Sequence, residues 1–237
     1  MKHPFHCNIL PLFTMGAGGL GLALRLWLFS AIDEKGLLPK GHPADAALYL
    51  LCALVIGILF LATRQLTPRK AAPRAFDILA CILGCVGLVL TAFSDHSGGI
   101  IRLEGTATVV CLLGGAVLLI QALLTAAGKK APYWLTAILT LSLMVTTVAQ
   151  CQIWGAVPQL QEFFFPLLAS VFLILTAYYK TALLAGQDTS RKLAFFSQCA
   201  LFFCCLSVNY EQWALYLGML FWAAAQIDFC IPTAKEA

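Results

Sequence analysis

The stretch Leu20-Gly21-Leu22-Ala23-Leu24-Arg25-Leu26-Trp27-Leu28-Phe29 decides the fold class, because it sets one full charge well inside an apolar run. The complete run covers residues 12–32, which is long enough for one membrane-spanning helix. The guanidinium of Arg25 keeps its proton, so it must find a carboxylate, a carbonyl oxygen or water, and leaving it at the centre of a membrane helix costs roughly 2.5 to 3.5 kcal/mol. We therefore expect Arg25 to anchor either the fold or a binding site.

The composition of the whole chain is typical of an integral membrane protein. Of its 237 residues, 61% are hydrophobic and 11% are charged. Ordinary soluble domains have a much lower apolar share and more than twice the charged share. Eight helices of about 20 residues each would use most of the chain, so loops must be short and we expect one integral membrane domain over residues 1–237.

Hydropathy predicts eight apolar segments. The last two are separated by a length argument: residues 193–232 as a single helix would be about 60 Å long, twice the thickness of a bilayer core, so the chain must turn near Asn209-Tyr210-Glu211-Gln212. The seventh segment is the shortest, and a tilted or re-entrant segment there would leave seven spans. The predicted spans cover residues 12–32, 44–63, 75–93, 106–127, 132–153, 164–185, 193–208 and 213–231.

The charges in the loops predict the orientation of these spans, because cytoplasmic loops collect Lys and Arg. With a cytoplasmic N-terminus, eleven of the fifteen basic residues fall on the inner side, three fall on the outer side, and Arg25 lies within a span. The alternation predicts an even number of spans with both chain ends inside, in a plasma membrane of the bacterial inner-membrane type. We interpret the basic cluster from Arg64 to Arg74 as a topology signal and a lipid-headgroup contact, and expect no nucleic-acid partner.

The segment Gly16-Ala17-Gly18-Gly19-Leu20-Gly21 matches the dinucleotide-binding fingerprint letter for letter. That motif works between a strand and a helix, whereas here it lies inside a span, so no cofactor is predicted. Small residues on one helix face let a neighbouring backbone approach closely. We expect this role for Ala17 with Gly21, for Gly114-Gly115, and for Ala214 with Gly218.

Polar residues near the outer ends of the spans carry the functional prediction. Arg25 lies two helical turns before Asp33, about 12 Å below the outer surface, and we expect it to pair with an outer acid. Such a pair could be a structural tie between helices. Alternatively, Arg25 lies in an outward-facing cavity and binds an anionic or zwitterionic solute. The residues predicted to bind this ligand are Arg25, Asp33, His96, Glu104 and Glu211.

On the inner side, Asp228 lies in the last predicted span. Its carboxylate either reaches the headgroup region and the basic loop residues, or acts in a proton or ion relay with Gln198 and Gln226 as lesser polar partners. The predicted spans contain no histidine and essentially one acid. Membrane-embedded hydrolases need paired acids, metal-spaced histidines or a Ser/His set, so no catalytic residues and no metal site are predicted.

The sequence therefore predicts an all-α bundle of about eight transmembrane helices with both ends in the cytoplasm. The leading functional hypothesis is a transporter-like protein that binds or translocates a small solute through the cavity around Arg25. The alternative is a non-catalytic scaffold, sensor or partner subunit of a larger membrane complex. The expected partners are the lipid bilayer, a small anionic or zwitterionic solute, and another membrane protein or a second copy of the chain.

Overall fold

The computed structural model describes residues 9–31, 42–65, 74–93, 104–154, 163–208 and 212–228. Eight helices and no strands occur within these ranges, which confirms the predicted all-α class and the separation of the last two helices. Their bounds lie within a few residues of the apolar segments. The helices are α1 (Ile9–Ser30), α2 (Pro43–Gln65), α3 (Arg74–Ala92), α4 (Glu104–Ala126), α5 (Tyr133–Trp154), α6 (Phe164–Leu184), α7 (Ser190–Ser207) and α8 (Trp213–Asp228).

Six of these helices, α1 to α6, are long and apolar enough to cross a membrane. They indicate a helical membrane protein, in agreement with the composition. The helix α8 has 16 described residues, and α7 carries polar residues at its start and middle. Both are shorter than a regular membrane span, which needs about 20 residues.

The lower hydropathy of α7 follows from its central position. It packs against four helices, α1, α2, α6 and α8. Thirteen of its eighteen residues are buried, so its surface is covered mainly by protein. A helix in this position does not need to be apolar on every face, because neighbouring helices can satisfy its polar groups.

Six helices form a closed ring. Each helix from α3 to α8 packs against the next, and α8 packs back against α3. Large side chains fill the centre, among them Tyr216, Met219 and Trp222 of α8, all fully buried. The pair α1 and α2 lies outside this ring; it packs mainly against α7 and also contacts α6 through Arg25 and Tyr49.

The helices alternate in direction along the chain. The odd-numbered helices α1 and α7 are parallel, since Thr14, near the start of α1, meets Gln198 in the middle of α7, and Arg25, near the end of α1, meets Leu206 in the last turn of α7. Residues 9 and 228 therefore lie at one end of the bundle, which we call the terminal end. The opposite end, which holds residues 30 and 207, is called the distal end.

The closest helix crossing is between α3 and α8. A Cβ atom at Gly87 would lie 2.5 Å from the carbonyl oxygen of Ala214, and one at Gly218 would lie 2.5 Å from that of Leu83. Both distances are shorter than any real contact of a Cβ atom, so only glycine allows the two backbones to meet. The predicted packing role of Gly218 is confirmed, whereas Gly87, its partner on α3, was missed by the sequence analysis.

A second close crossing joins α1 to α7. A Cβ atom at Gly18 would lie 2.7 Å from Cβ of Cys205, and one at Gly21 would lie 3.0 Å from Leu206. The glycine-rich segment of α1 thus packs against the central helix, as predicted, although Gly16 and Gly19 of the same segment face open space. This crossing holds α1 close enough for Arg25 to reach α7.

Glycines also end two helices at the terminal end. Gly128 follows α4 with φ 71° and Gly186 follows α6 with φ 95°. At both ends the amide of the next residue, Lys129 or Gln187, donates to a carbonyl five residues earlier. This is the Schellman motif, in which a left-handed glycine satisfies the last carbonyls of a helix. These short turns bring α5 back beside α4 and α7 back beside α6.

Candidate functional site

Arg25 lies five residues before the end of α1 and is only 2% exposed. Its Nη1 atom donates a hydrogen bond to the carbonyl oxygen of Leu206 at 2.5 Å. A carbonyl oxygen was one of the three kinds of group expected to receive this charge. The bond joins residues 181 positions apart in the chain, so it fixes α1 against α7 directly.

The bond falls at a favourable place on α7. Leu206 is the penultimate residue of that helix. The last four carbonyls of a helix receive no hydrogen bond from an amide of the same helix. The C-terminal end of a helix also carries partial negative charge, which favours a cation. Arg25 therefore caps α7, and a charge that is costly in an apolar span is placed against a helix end that needs one.

Two aromatic rings flank the same guanidinium. Its Cζ atom lies 5.2 Å from the ring centroid of Phe29, one turn later on α1, and 5.5 Å from that of Phe165 on α6. Cations are attracted to the faces of aromatic rings within about 6 Å. Arg25 thus links α1 to two helices of the ring, α6 and α7.

The other residues predicted to bind a ligand cannot be compared with this geometry. Asp33, His96 and Glu211 lie outside the described residues. Glu104 is the first residue of α4, which begins at the distal end with Arg25, but its side chain also lies outside the described part. The prediction that these four residues join Arg25 in a ligand site stays a prediction.

A second polar contact lies at the distal end. Nε2 of Gln150, near the end of α5, donates to Oε1 of Gln212, which precedes α8. Gln150 is buried, and its own Oε1 has no hydrogen-bond partner among the described residues. Gln150 lies at the same end of the bundle as Arg25.

One buried cation, Lys180, was not predicted from the sequence. It is one of the eleven basic residues assigned to the inner side, and in the structure it lies within α6 and is buried. Its Nζ atom lies 5.3 Å from the ring centroid of Trp222. The signal was present, since residue 180 falls inside the predicted span 164–185.

Comparisons of the chain with protein-family models, with curated proteins and with solved structures gave no match.

The two glutamines that were named as partners of Asp228 both make polar contacts, Gln198 in the middle of α7 and Gln226 near the end of α8. The hydroxyl of Thr14 donates to Oε1 of Gln198 at 2.6 Å, and Nε2 of Gln226 donates to the carbonyl of Trp222 at 2.9 Å. Asp228 is the last residue of α8, and its side chain lies outside the described part. Its role in a relay therefore stays a prediction.

Proposed function

We propose that this protein is a multi-pass membrane protein in which all eight helices cross the bilayer, with both chain ends in the cytoplasm of a bacterial-type cell. The alternating helix directions support this proposal, because they bring residues 9 and 228 to the same end of the bundle. The basic residues support it as well, since Arg64, Lys129, Lys130, Arg191 and Lys192 all lie at that terminal end. The polar residues of α7 are compatible with a membrane span because neighbouring helices cover them. The helix α8 is apolar, and only the length of its described part falls short of a regular span.

Within the membrane, the proposed role is a non-catalytic scaffold, sensor or partner subunit. The observation that carries this proposal is the burial of Arg25 and its bond to Leu206. A solute that reached the guanidinium would have to compete with that carbonyl and with the contacts that Phe29 and Phe165 make with the cation. Through this hydrogen bond and the ring contacts, Arg25 acts as a structural tie, meaning that it holds α1 against α6 and α7.

A second candidate function is the binding of a small anionic or zwitterionic solute at the distal end. The buried Oε1 of Gln150 favours it, because this acceptor at the same end as Arg25 could receive a hydrogen bond from a ligand. A guanidinium can bind a carboxylate or phosphate with two parallel hydrogen bonds, which are stronger than one bond to a carbonyl. On binding such a solute, Arg25 would lose its hydrogen bond to the carbonyl of Leu206 and form hydrogen bonds to the solute.

The experiment that separates the two is the substitution Arg25→Gln, compared with Lys129→Gln, which removes an exposed charge at the terminal end. If Arg25 is a tie, the yield of folded, monodisperse protein falls sharply for Arg25→Gln and stays at the wild-type level for Lys129→Gln. Near-normal yield of Arg25→Gln would contradict the structural role.

A thermal-shift screen tests the solute function directly. Small carboxylates and phosphates are added to the purified wild-type protein and to the variant Arg25→Lys, which keeps the charge but loses the planar fork. A compound that stabilises the wild type by binding the folded state, and stabilises Arg25→Lys much less, would favour the solute function. The scaffold role predicts that no compound in the screen behaves in this way.

A further inference from the structure

An open cavity lies at the terminal end, between the C-terminal half of α2, the C-terminal half of α6 and the first turns of α7. Its volume is about 340 Å³. Three cationic residues line it, namely Arg64 from α2 and the adjacent pair Arg191 and Lys192 from α7. We call it the basic cavity. Arg25 and Gln150 are not part of it, since they lie at the distal end.

The cations of α7 occupy a position that their own helix does not stabilise. Arg191 and Lys192 are the second and third residues of α7, where the helix dipole is positive and acidic residues are preferred. The N-cap residue, Thr189, makes no side-chain cap; its hydroxyl donates to the carbonyl of Tyr179 at 3.0 Å. Two cations and a positive helix end thus add their fields, and an external anion would relieve them.

An acid of the chain adjoins this helix start, but it is turned to another partner. Oδ1 of Asp188 accepts a hydrogen bond from the hydroxyl of Ser190 at 2.9 Å. Asp188 is exposed and is not among the residues that line the basic cavity. The charge inside the cavity is therefore positive among the residues that the structure describes there.

Aromatic side chains form the rest of the wall. The ring centroids of Phe60 and Phe195 are 6.1 Å apart, and those of Tyr179 and Phe196 are 5.1 Å apart with nearly parallel planes. Phe195 and Phe196 also meet edge to face at 5.2 Å. The rings thus make one continuous apolar surface between α2, α6 and α7.

The cations sit against these rings. Cζ of Arg64 lies 4.5 Å from the ring centroid of Phe60, and Nζ of Lys192 lies 5.7 Å from that of Tyr179. A cation over a ring face is positioned by the ring and still carries several N–H donors. The basic cavity therefore combines fixed positive groups with an apolar wall.

We propose that the basic cavity binds one anionic phospholipid, with the phosphate on Arg64, Arg191 and Lys192 and an acyl chain along the aromatic wall. The amphipathic lining favours a lipid over free phosphate, because free phosphate would leave the aromatic surface without a partner. Anionic lipids also attract basic residues at the ends of membrane helices. The proposal rests on the membrane placement proposed above, and it adds a defined ligand class at a site separate from Arg25.

The test measures lipid binding to the purified protein in detergent by native mass spectrometry. Phosphatidylglycerol is the anionic probe, phosphatidylcholine the zwitterionic control, and inorganic phosphate the lipid-free source of the same chemistry. The double variant Arg191→Gln/Lys192→Gln is compared with Lys129→Gln/Lys130→Gln. The control pair is also adjacent, exposed and at the terminal end, but it does not line the basic cavity.

We expect roughly 5-fold weaker phosphatidylglycerol binding for each basic residue removed from the cavity, and wild-type binding for the control pair. The single variant Arg64→Gln, on a different helix, should weaken binding to a similar degree and serves if the double variant folds poorly. Equal losses in the cavity and control pairs would overturn the proposal in favour of general surface attraction. Competition by millimolar inorganic phosphate would overturn the assignment of a lipid.

The outcome of the lipid-binding test can be distinguished from the outcome of the Arg25 experiments. Lipid binding in detergent is measured without reference to sidedness, so a reversed membrane orientation would leave it unchanged. In the same way, the substitution Arg25→Gln changes a residue at the distal end that does not line the basic cavity. A failure of either proposal can therefore be recognised without the other.

Discussion

Arg25 on α1 and Leu206 on α7 are joined by a 2.5 Å hydrogen bond from the guanidinium to a backbone carbonyl in the last turn of the central helix. The two helices run parallel, and a second hydrogen bond joins Thr14, near the start of α1, to Gln198 in the middle of α7. Because the carbonyl belongs to the backbone, no side-chain substitution at position 206 removes it. The bond can be tested only through Arg25.

We expect Arg25→Gln to lower the free energy of unfolding by about 1.5 to 3 kcal/mol, the usual contribution of a hydrogen bond to a charged group. Arg25→Lys should lose less, since it keeps a cation at the C-terminal end of α7. The measurement is unfolding in detergent micelles followed by circular dichroism. An Arg25→Gln protein as stable as the wild type would show that the bond contributes nothing to the fold.

The close crossing of α3 and α8 predicts that the free energy of unfolding falls when a side chain is added at the crossing. Gly87→Ala and Gly218→Ala each place a Cβ atom 2.5 Å from a backbone carbonyl, and such overpacking typically costs about 1 to 3 kcal/mol. Gly57→Ala is the matched control, because nothing lies within 4 Å of its Cβ position. The free energy of unfolding of Gly57→Ala should rise by up to about 1 kcal/mol, because alanine has a higher helix propensity than glycine. Similar stabilities of all three variants would contradict the close crossing.

The hydrogen bond between Thr14 and Gln198 predicts that removing Thr14 destabilises the fold more than removing Gln198. Thr14→Val leaves the buried amide of Gln198 without its donor, which costs about 1 to 3 kcal/mol. Gln198→Leu should cost less, because the Thr14 hydroxyl still lies 2.8 Å from the carbonyl oxygen of Leu10. The double variant should recover part of the loss of Thr14→Val. A double-mutant cycle measures this coupling, and strictly additive losses would argue against the hydrogen bond.

The proposed orientation predicts the sidedness of the loops. A reporter phosphatase that is active only outside the cytoplasm should be inactive when fused after Gly128 or Gly186, and active when fused after Ala31 or Phe93. The physical reason is the excess of Lys and Arg in loops that stay in the cytoplasm. Activity at Gly128 would reverse the orientation and place the basic cavity on the other face of the membrane.

Sequence alone determined the all-α class, the approximate bounds of the helices and the turn before Trp213, because these depend on local properties: the length of each apolar run and the polar residues that interrupt it. The packing glycines of α1 and α8 could be predicted for the same reason. The bond from Arg25 to the carbonyl of Leu206 could not be predicted, since the chain offers several acids and a large number of carbonyls at a similar depth.

Only the tertiary structure decided which helix faces meet. It placed the carbonyl of Leu206 within hydrogen-bond distance of Arg25, packed Gly87 against Gly218, buried Lys180 beside Trp222, and brought Arg64 to the start of α7. Each of these contacts joins residues far apart in the chain. Hydropathy fixes the depth of a residue along its helix, but the rotation and neighbours of that helix follow from close packing of the whole bundle.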